Sequence, residues 1–177
     1  MSATPSRMPL ARARALAEKI AAELTPFCDR LEIAGSIRRQ RPTVGDIDLV
    51  MVPKAPHGYS GILMRCARHA TPVKRGEQYV VFGLDGGHGF QLDLWFAHAG
   101  NTDLLDPDPP NFGVLLLSRT GSAAHNIWIA QQACALGLHF NPHRGVLRHG
   151  EVLASAEETE IFSALGLDFI PPEKRER

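Results

Sequence analysis

The strongest constraint in the sequence is the segment from Asp46 to Val52, DIDLVMV, in which acids alternate with apolar residues before the segment becomes wholly apolar. The alternation predicts a β-strand, in which residues two apart point to the same face, so Asp46 and Asp48 present two carboxylates side by side. Close carboxylates repel each other, and such a pair is costly unless a cation lies between them. Hard oxygen ligands of this kind suit Mg²⁺, which completes its shell with water and substrate phosphate.

A third acid, Asp93, stands alone in the otherwise apolar segment from Phe90 to Ala97. A charge there is costly unless it is paired or bound to a metal. If this second predicted strand lies beside the first, the three carboxylates converge and could hold two divalent ions for in-line phosphoryl transfer. The alternative is that they are ordinary surface carboxylates on an edge strand.

A glycine and a serine, Gly35-Ser36, end a short alternating segment, and Arg38 and Arg39 follow them. Backbone N–H groups and a hydroxyl at such a turn can meet a phosphate, and a guanidinium can pair bidentately with phosphate oxygens. Gly-Ser alone is a weak signal. Gly-Ser-x-Arg-Arg followed by Gly-Asp-x-Asp, with a later aspartate on a strand, strongly indicates a site for a phosphate and its cations.

The composition excludes several classes of protein. The chain has 177 residues, of which 44% are hydrophobic and 21% charged, as in globular rather than disordered or fibrous proteins. Nineteen basic residues balance nineteen acidic ones, so no global charge draws the chain to polyanions. The three cysteines favour neither a disulfide framework nor a metal cluster, and no apolar run is long enough to span a membrane. We therefore expect a cytoplasmic protein with no membrane association.

Periodicity predicts an α+β chain in two parts. The segment 106–110, Asp-Pro-Asp-Pro-Pro, cannot continue a helix or a central strand, so we expect domains at 1–110 and 111–177. The first is predicted to contain helices at 8–24 and 59–69 and strands at 31–34, 46–52, 78–84 and 90–97. The second is predicted to contain helices at 111–117, 123–136 (with Ser122 as N-cap) and 157–165 and short strands at 138–140 and 145–147.

At this point the motifs resemble those of a known family. Gly35-Ser36-Ile37-Arg38-Arg39 followed by Gly45-Asp46-Ile47-Asp48 resembles the signature of the polymerase-beta nucleotidyltransferase superfamily, with the spacing of the family X DNA polymerases. The segment 120–126, TGSAAHN, resembles the start of that family's thumb, and 160–173 resembles the close of bacterial family X polymerase cores. The resemblance implies a palm with a mixed, twisted sheet flanked by helices, followed by a small helical thumb with a β-hairpin.

The resemblance also implies roles for individual residues. Asp46, Asp48 and Asp93 would bind two Mg²⁺ ions, with Mn²⁺ as a substitute, and Asp93 would help to deprotonate the primer 3′-hydroxyl. The implied nucleotide-binding residues are Gly35, Ser36, Arg39, Gly45, Ser118, Gly121 and Asn126. The implied DNA-binding residues are Gln91 and Arg119.

The implied activity is that of a minimal DNA polymerase, which adds a dNMP from a dNTP to a primer 3′-hydroxyl. The family's lyase, helix-hairpin-helix and fingers modules are not expected, because only a short segment precedes Gly35. Phosphate neutralisation supplies most non-specific DNA binding, so a chain of zero net charge is expected to bind DNA weakly and in a salt-sensitive manner. We therefore expect a monomer that fills short gaps or ends in DNA repair, on primer–template or gapped DNA, alongside other repair proteins.

Two alternatives stay open. A nucleotidyltransferase with the same metal site could act without a template, on RNA or on another acceptor, and Gln91, where the family often has a basic residue, favours this interpretation. A non-catalytic nucleotide-binding or DNA-bridging module is the other alternative, and the presence of all three carboxylates argues against it.

Sugar selectivity provides a test of the implied nucleotide pocket. The position two before Thr120, often an aromatic residue that senses the sugar in the family, is Ser118 here. We expect weak exclusion of ribonucleotides, because a serine side chain is too small to block a 2′-hydroxyl as a ring does. Incorporation of matched dNTP and rNTP pairs on one primer measures this, and strong dNTP preference would show that another element excludes the ribose.

Overall fold

A computed structural model of the chain describes residues 7–76, 78–84, 89–101 and 108–176. The chain divides into two compact units, Met1–Phe96 and Ala97–Arg177. The start of the second unit is tied to its first helix, since the His98 N–H donates to Asn111 Oδ1 at 2.9 Å. The Pro-rich segment 106–110 lies partly outside the described residues, and the division after residue 110 stays a prediction.

The first unit is an α+β structure. Its elements in chain order are β1 (Met8–Pro9), α1 (Leu10–Leu24), β2 (Cys28–Ile33), α2 (Gly35–Arg38), β3 (Thr43–Val44), β4 (Asp46–Pro53), α3 (Gly58–Cys66), β5 (Thr71–Arg75), β6 (Tyr79–Gly83) and β7 (Gln91–Phe96). A five-stranded sheet has the order β2-β4-β7-β6-β5, and a small second sheet pairs β1 with β3. Strands β4 and β7 are parallel, whereas the other pairs are antiparallel, so the expected mixed sheet is confirmed.

The two central strands bury one face and leave carboxylates on the other. Ile47, Leu49 and Met51 of β4 are fully buried, and they share a core with residues of α1 and α3. The intervening Asp46 and Asp48 are half-buried, as the period of two in a strand requires. The hydrophobic face therefore fixes the direction in which the acids project.

The structure adds elements to those expected from the sequence. The expected helix at 8–24 begins at Leu10 instead, because Met8–Pro9 extends as β1 and pairs with Thr43–Val44 of β3. The fully exposed edge strand β5 carries no apolar alternation and was not expected. Between the strands expected at 78–84 and 90–97, residues 85–88 lie outside the described residues.

The second unit combines helices with a small antiparallel sheet. Its elements are α4 (Phe112–Thr120), α5 (Ala123–Ala135), β8 (His139–Asn141), β9 (Gly145–Arg148), β10 (Glu151–Ala154) and α6 (Glu158–Ala164). The expected strand pair is β8–β9, and β10 adds a third strand on the other side of β9. Their buried residues form one core with α4, α5 and α6.

All three cysteines are free thiols, and burial raises the pKa of both Cys28 and Cys66 to about 11. Within the described ranges, none of the helices has the length and apolar character that crossing a bilayer requires.

A buried ion pair fastens the C-terminal segment to the second unit. Arg175 has no exposed surface, and its Nη1 lies 2.6 Å from Oε1 of the almost fully buried Glu158 on α6. Its Nε donates to the Ile170 carbonyl at 2.8 Å, and its guanidinium lies over the rings of Phe162 and Phe169, about 5.5 Å and 5.4 Å from their centroids. Removing one member of such a pair leaves the other charge buried and uncompensated.

We expect Arg175→Met to lower the free energy of unfolding by about 3–5 kcal/mol, because Glu158 would be left without its cation. Urea unfolding followed by circular dichroism measures the loss. The matched control is Lys174→Ala, an exposed neighbour, which should change stability little. The double variant Arg175→Met/Glu158→Leu should recover part of the loss, and an Arg175→Met protein as stable as the wild type would contradict this account.

Candidate active site

The pairing of β4 with β7 brings two of the expected site residues together. In the parallel register Asp48 lies opposite Asp93, and Asp46 lies opposite Gln91. The expectation that the two acid-bearing strands are neighbours is thereby confirmed. Asp46, Asp48 and Asp93 are all half-buried and lie on the sheet face opposite the core, on two neighbouring strands.

The turn at Gly35 lies directly against Asp48. The Ala34 N–H donates to the Asp48 carbonyl at 2.8 Å, which ties the end of β2 to β4. Gly35 has a φ of +59°, and the space that a Cβ would fill there is occupied by the Asp48 carboxylate. Only glycine meets both conditions, because an L side chain is strained at this φ and would collide with Asp48.

Ser36 follows in the first turn of α2 and presents a hydroxyl suited to an anion. Its Oγ is buried, and among the described residues it has no hydrogen-bond partner. A buried hydroxyl without a partner is unfavourable, and a phosphate oxygen would satisfy it. Arg39, half-buried, ends the same short helix, where its N–H donates to the Gly35 carbonyl at 3.2 Å.

Arg7 is a cation beside this site that the sequence did not reveal. Its Nε and Nη2 donate to Thr43 Oγ1 and to the Thr43 carbonyl, at 3.1 Å and 2.7 Å. Its Nη1 lies 3.6 Å from the Cβ position of Gly45, the residue before Asp46. The signal available in the sequence was only the basic character of the N-terminal segment, and the pairing of β1 with β3 could not be inferred from it.

The carboxylates are suitable donors for a divalent cation, although their side chains are not already arranged around a common metal position. Within the described residues, no three His, Cys, Asp or Glu side chains are arranged as a metal site. The chemistry of the donors nevertheless fits Mg²⁺ or Mn²⁺, which take carboxylate oxygens. The missing Cβ of Gly35 also leaves room for the carboxylate of Asp48. The donor chemistry of the three carboxylates therefore suits a hard divalent ion, and their role as metal ligands stays a prediction.

Two neighbours of the aspartates distinguish this sheet face. Gln91 is exposed at the start of β7 and lies opposite Asp46 in the register of the two strands. Trp95, two residues after Asp93 on the same face, donates its indole N–H to Asp48 Oδ1 at 3.2 Å. The tryptophan is therefore neither a purely packing residue nor an exposed base platform.

The expected sugar and base contacts cluster within the second unit. Asn126 Nδ2 donates to the Ser118 carbonyl at 2.7 Å, which joins α5 to the end of α4. Gly121 has a φ of +70°, and Ser122 caps α5 by accepting the His125 N–H, as the sequence predicted. Ser118, Gly121 and Asn126 thus lie around one helix–helix turn.

Arg119, expected to contact DNA, is half-buried near the end of α4. It acts electrostatically on His143, whose pKa is lowered first by burial and second by the positive charge of Arg119. The imidazole of His143 is therefore favoured in its neutral form.

The contact between Gly35 and Asp48 can be tested by substitution. We expect Gly35→Ala to destabilise the protein by about 2–4 kcal/mol, because the left-handed φ and the collision with Asp48 both oppose a side chain. Gly137→Ala is the matched control, since Gly137 has a φ of +68° but nothing within 4 Å of its Cβ position. Urea unfolding of both variants separates the two effects, and equal losses would contradict the proposed collision.

Comparison with known proteins agrees with this geometry. Residues 115–176 match the family model for the DNA polymerase beta thumb. The chain is also 28% identical over 176 residues, 97% of its length, to the DNA polymerase/3′-5′ exonuclease PolX of Bacillus subtilis (strain 168), of which it spans 29%. Residues 115–176 are therefore similar to the DNA polymerase beta thumb, and the resemblance of the chain to the family X DNA polymerases is confirmed.

Proposed function

We propose that this chain catalyses template-directed addition of a dNMP from a dNTP to the 3′-hydroxyl of a DNA primer. The observation that carries the proposal is the register of β4 and β7, which sets Asp48 opposite Asp93 and beside the Gly35–Ser36 turn. The similarity to a bacterial family X polymerase supports DNA as the acceptor.

The proposed roles follow from the chemistry of each side chain. Asp46, Asp48 and Asp93 would hold two divalent ions, which when bound supply Lewis-acid stabilisation of the charge that develops in phosphoryl transfer. Asp93 accepts the proton of the primer 3′-hydroxyl as that oxygen attacks the α-phosphate of the dNTP. A bond forms between the primer 3′-oxygen and the α-phosphorus while the bond from the α-phosphorus to pyrophosphate breaks. Pyrophosphate is therefore the leaving group.

The triphosphate would be held by the turn that follows β2. The buried hydroxyl of Ser36 donates to a phosphate oxygen, and the guanidinium of Arg39 pairs with the phosphates. Arg7, held against Thr43 beside Gly45, adds positive charge at the end of β4 where the aspartates begin. The sugar and base contacts implied for Ser118, Gly121 and Asn126 of the second unit stay predictions from the family resemblance.

The proposed biological setting is repair synthesis over short distances. With balanced charge in the whole chain, the electrostatic share of DNA binding is small, so DNA binding should be weak. One or a few nucleotides added at a gap or recessed end fit such binding better than long synthesis. The proposed partners are therefore gapped or primed DNA, dNTPs and other repair proteins.

A second candidate function is nucleotide addition without a template or to RNA or another acceptor. The observation that favours it is the exposed Gln91 beside Asp46, which offers no cation to the backbone of a primer strand. The chemistry at the aspartates would be unchanged, and only the acceptor would differ.

The first experiment offers the protein Mg²⁺, single dNTPs and a labelled primer in single-stranded, recessed and one-nucleotide-gapped DNA. We expect addition only of the nucleotide complementary to the template, with gapped DNA used best. Asp93→Asn should reduce the rate by at least about 10²-fold, since it removes the proton acceptor while keeping the side-chain size. Asp29→Asn is the control, because Asp29 is exposed at the opposite end of β2.

The other outcomes assign the second candidate or reject both. Addition of non-complementary nucleotides to single-stranded primer would indicate a template-independent transferase. Addition to RNA alone would identify a different acceptor. Turnover that survives Asp93→Asn would contradict the proposed site in either case.

A further inference from the structure

Trp95 contacts one of the proposed metal ligands directly. It lies on β7, two residues beyond Asp93 and on the same half-exposed face of the sheet. Its indole N–H donates to Asp48 Oδ1 at 3.2 Å, across the junction between β7 and β4. Tryptophan carries one polar atom, a donor, so this contact fixes the direction of the ring as well as that of the carboxylate.

The indole is itself held in place by its neighbours on the sheet. Tyr79 of β6 pairs in register with Trp95, and the two rings pack with centroids 5.0 Å apart and planes tilted by 30°. The Lys74 ammonium of β5 lies 5.3 Å from the Tyr79 ring centroid, within the range of a cation–π interaction. A row of contacts therefore runs from β5 to Asp48 on β4, and it restricts the positions available to the indole.

The two sides of the Asp48 carboxylate meet different elements. Oδ2 lies in the space left by the missing Cβ of Gly35, and Oδ1 accepts the indole hydrogen bond. A carboxylate oxygen has two acceptor sites, so Oδ1 can accept the indole and still face a cation. Hydrogen bonds to a ligating group orient it, and their loss typically costs 10–100-fold in metal affinity.

We infer that Trp95 is a positioning residue that orients Asp48 for a divalent cation through its indole N–H. The inference rests on the proposed metal role of Asp48. Trp95 does not touch the reacting atoms, and its effect passes through the carboxylate. The indole fluorescence should also report metal binding. A cation that binds at Asp48 changes the electric field at the ring that is hydrogen-bonded to this carboxylate.

The central variant is Trp95→Phe, which keeps an aromatic ring to pack against Tyr79 and removes only the donor. We expect its affinity for Mn²⁺ to fall about tenfold or more. Electron paramagnetic resonance of free Mn²⁺ during titration of the full chain measures binding without any turnover. Trp128→Phe, a change in the second unit, should bind as the wild type does, and Asp48→Asn should lose most of the binding.

Fluorescence provides a measurement on an intact Trp95. The chain has two tryptophans, so in Trp128→Phe the emission comes from Trp95 alone. We expect Mg²⁺ and Mn²⁺ to change this emission with the same midpoint as the resonance titration, and Asp48→Asn to abolish the change. This arm remains informative even if Trp95→Phe folds poorly, because the tested indole is the native one.

The outcomes separate this inference from the proposed function. If the wild type binds Mn²⁺ and Trp95→Phe binds it equally well or more tightly, the positioning role is wrong while the metal site stands. If bound metal leaves the Trp95 emission unchanged, the positioning role of Trp95 is also wrong. If the wild type binds no Mn²⁺ and adds no nucleotide, the proposed function itself fails.

Discussion

The parallel pairing of β4 with β7 is the interaction on which the site depends. Two strands that each bury one face must place their polar residues on the other, and the parallel register then sets Asp48 opposite Asp93. A slip of β4 by one residue against β7 would turn Asp46 and Asp48 into the core and expose Ile47. Burial of the hydrophobic residues therefore favours a register that brings the carboxylates close together, although like charges repel each other.

The sequence predicted this part of the structure because it depends on local, periodic signals. Alternation in β4 and the lone Asp93 in β7 indicated both the strands and the face of the sheet that bears the acids. The glycine at position 35 was also a local signal, because it marked the end of a strand. The structure shows why a glycine is needed there: its φ is left-handed, and the Asp48 carboxylate occupies the place of a side chain. The proposed metal and nucleotide roles of these residues go beyond the geometry and stay predictions.

The features that the sequence did not predict depend on pairing between distant segments. Arg7 reaches Gly45 only because β1 pairs with β3, two short strands without a periodic signal. Edge strand β5 is exposed throughout, so it has no buried face for a pattern to record. The bond between Trp95 and Asp48 likewise requires the register of two strands, whereas the sequence alone placed Trp95 only on the strand that carries Asp93.

In the second unit one serine joins the turn at Gly121 to the C-terminal segment. Ser122 Oγ accepts the His125 N–H at the start of α5 and donates to the Arg175 carbonyl at 2.8 Å. The side chain of Arg175 forms the buried ion pair with Glu158. The ion pair and the cap of α5 therefore both depend on the position of residue 175. The C-terminal residues up to Arg175 are therefore part of the fold of the second unit.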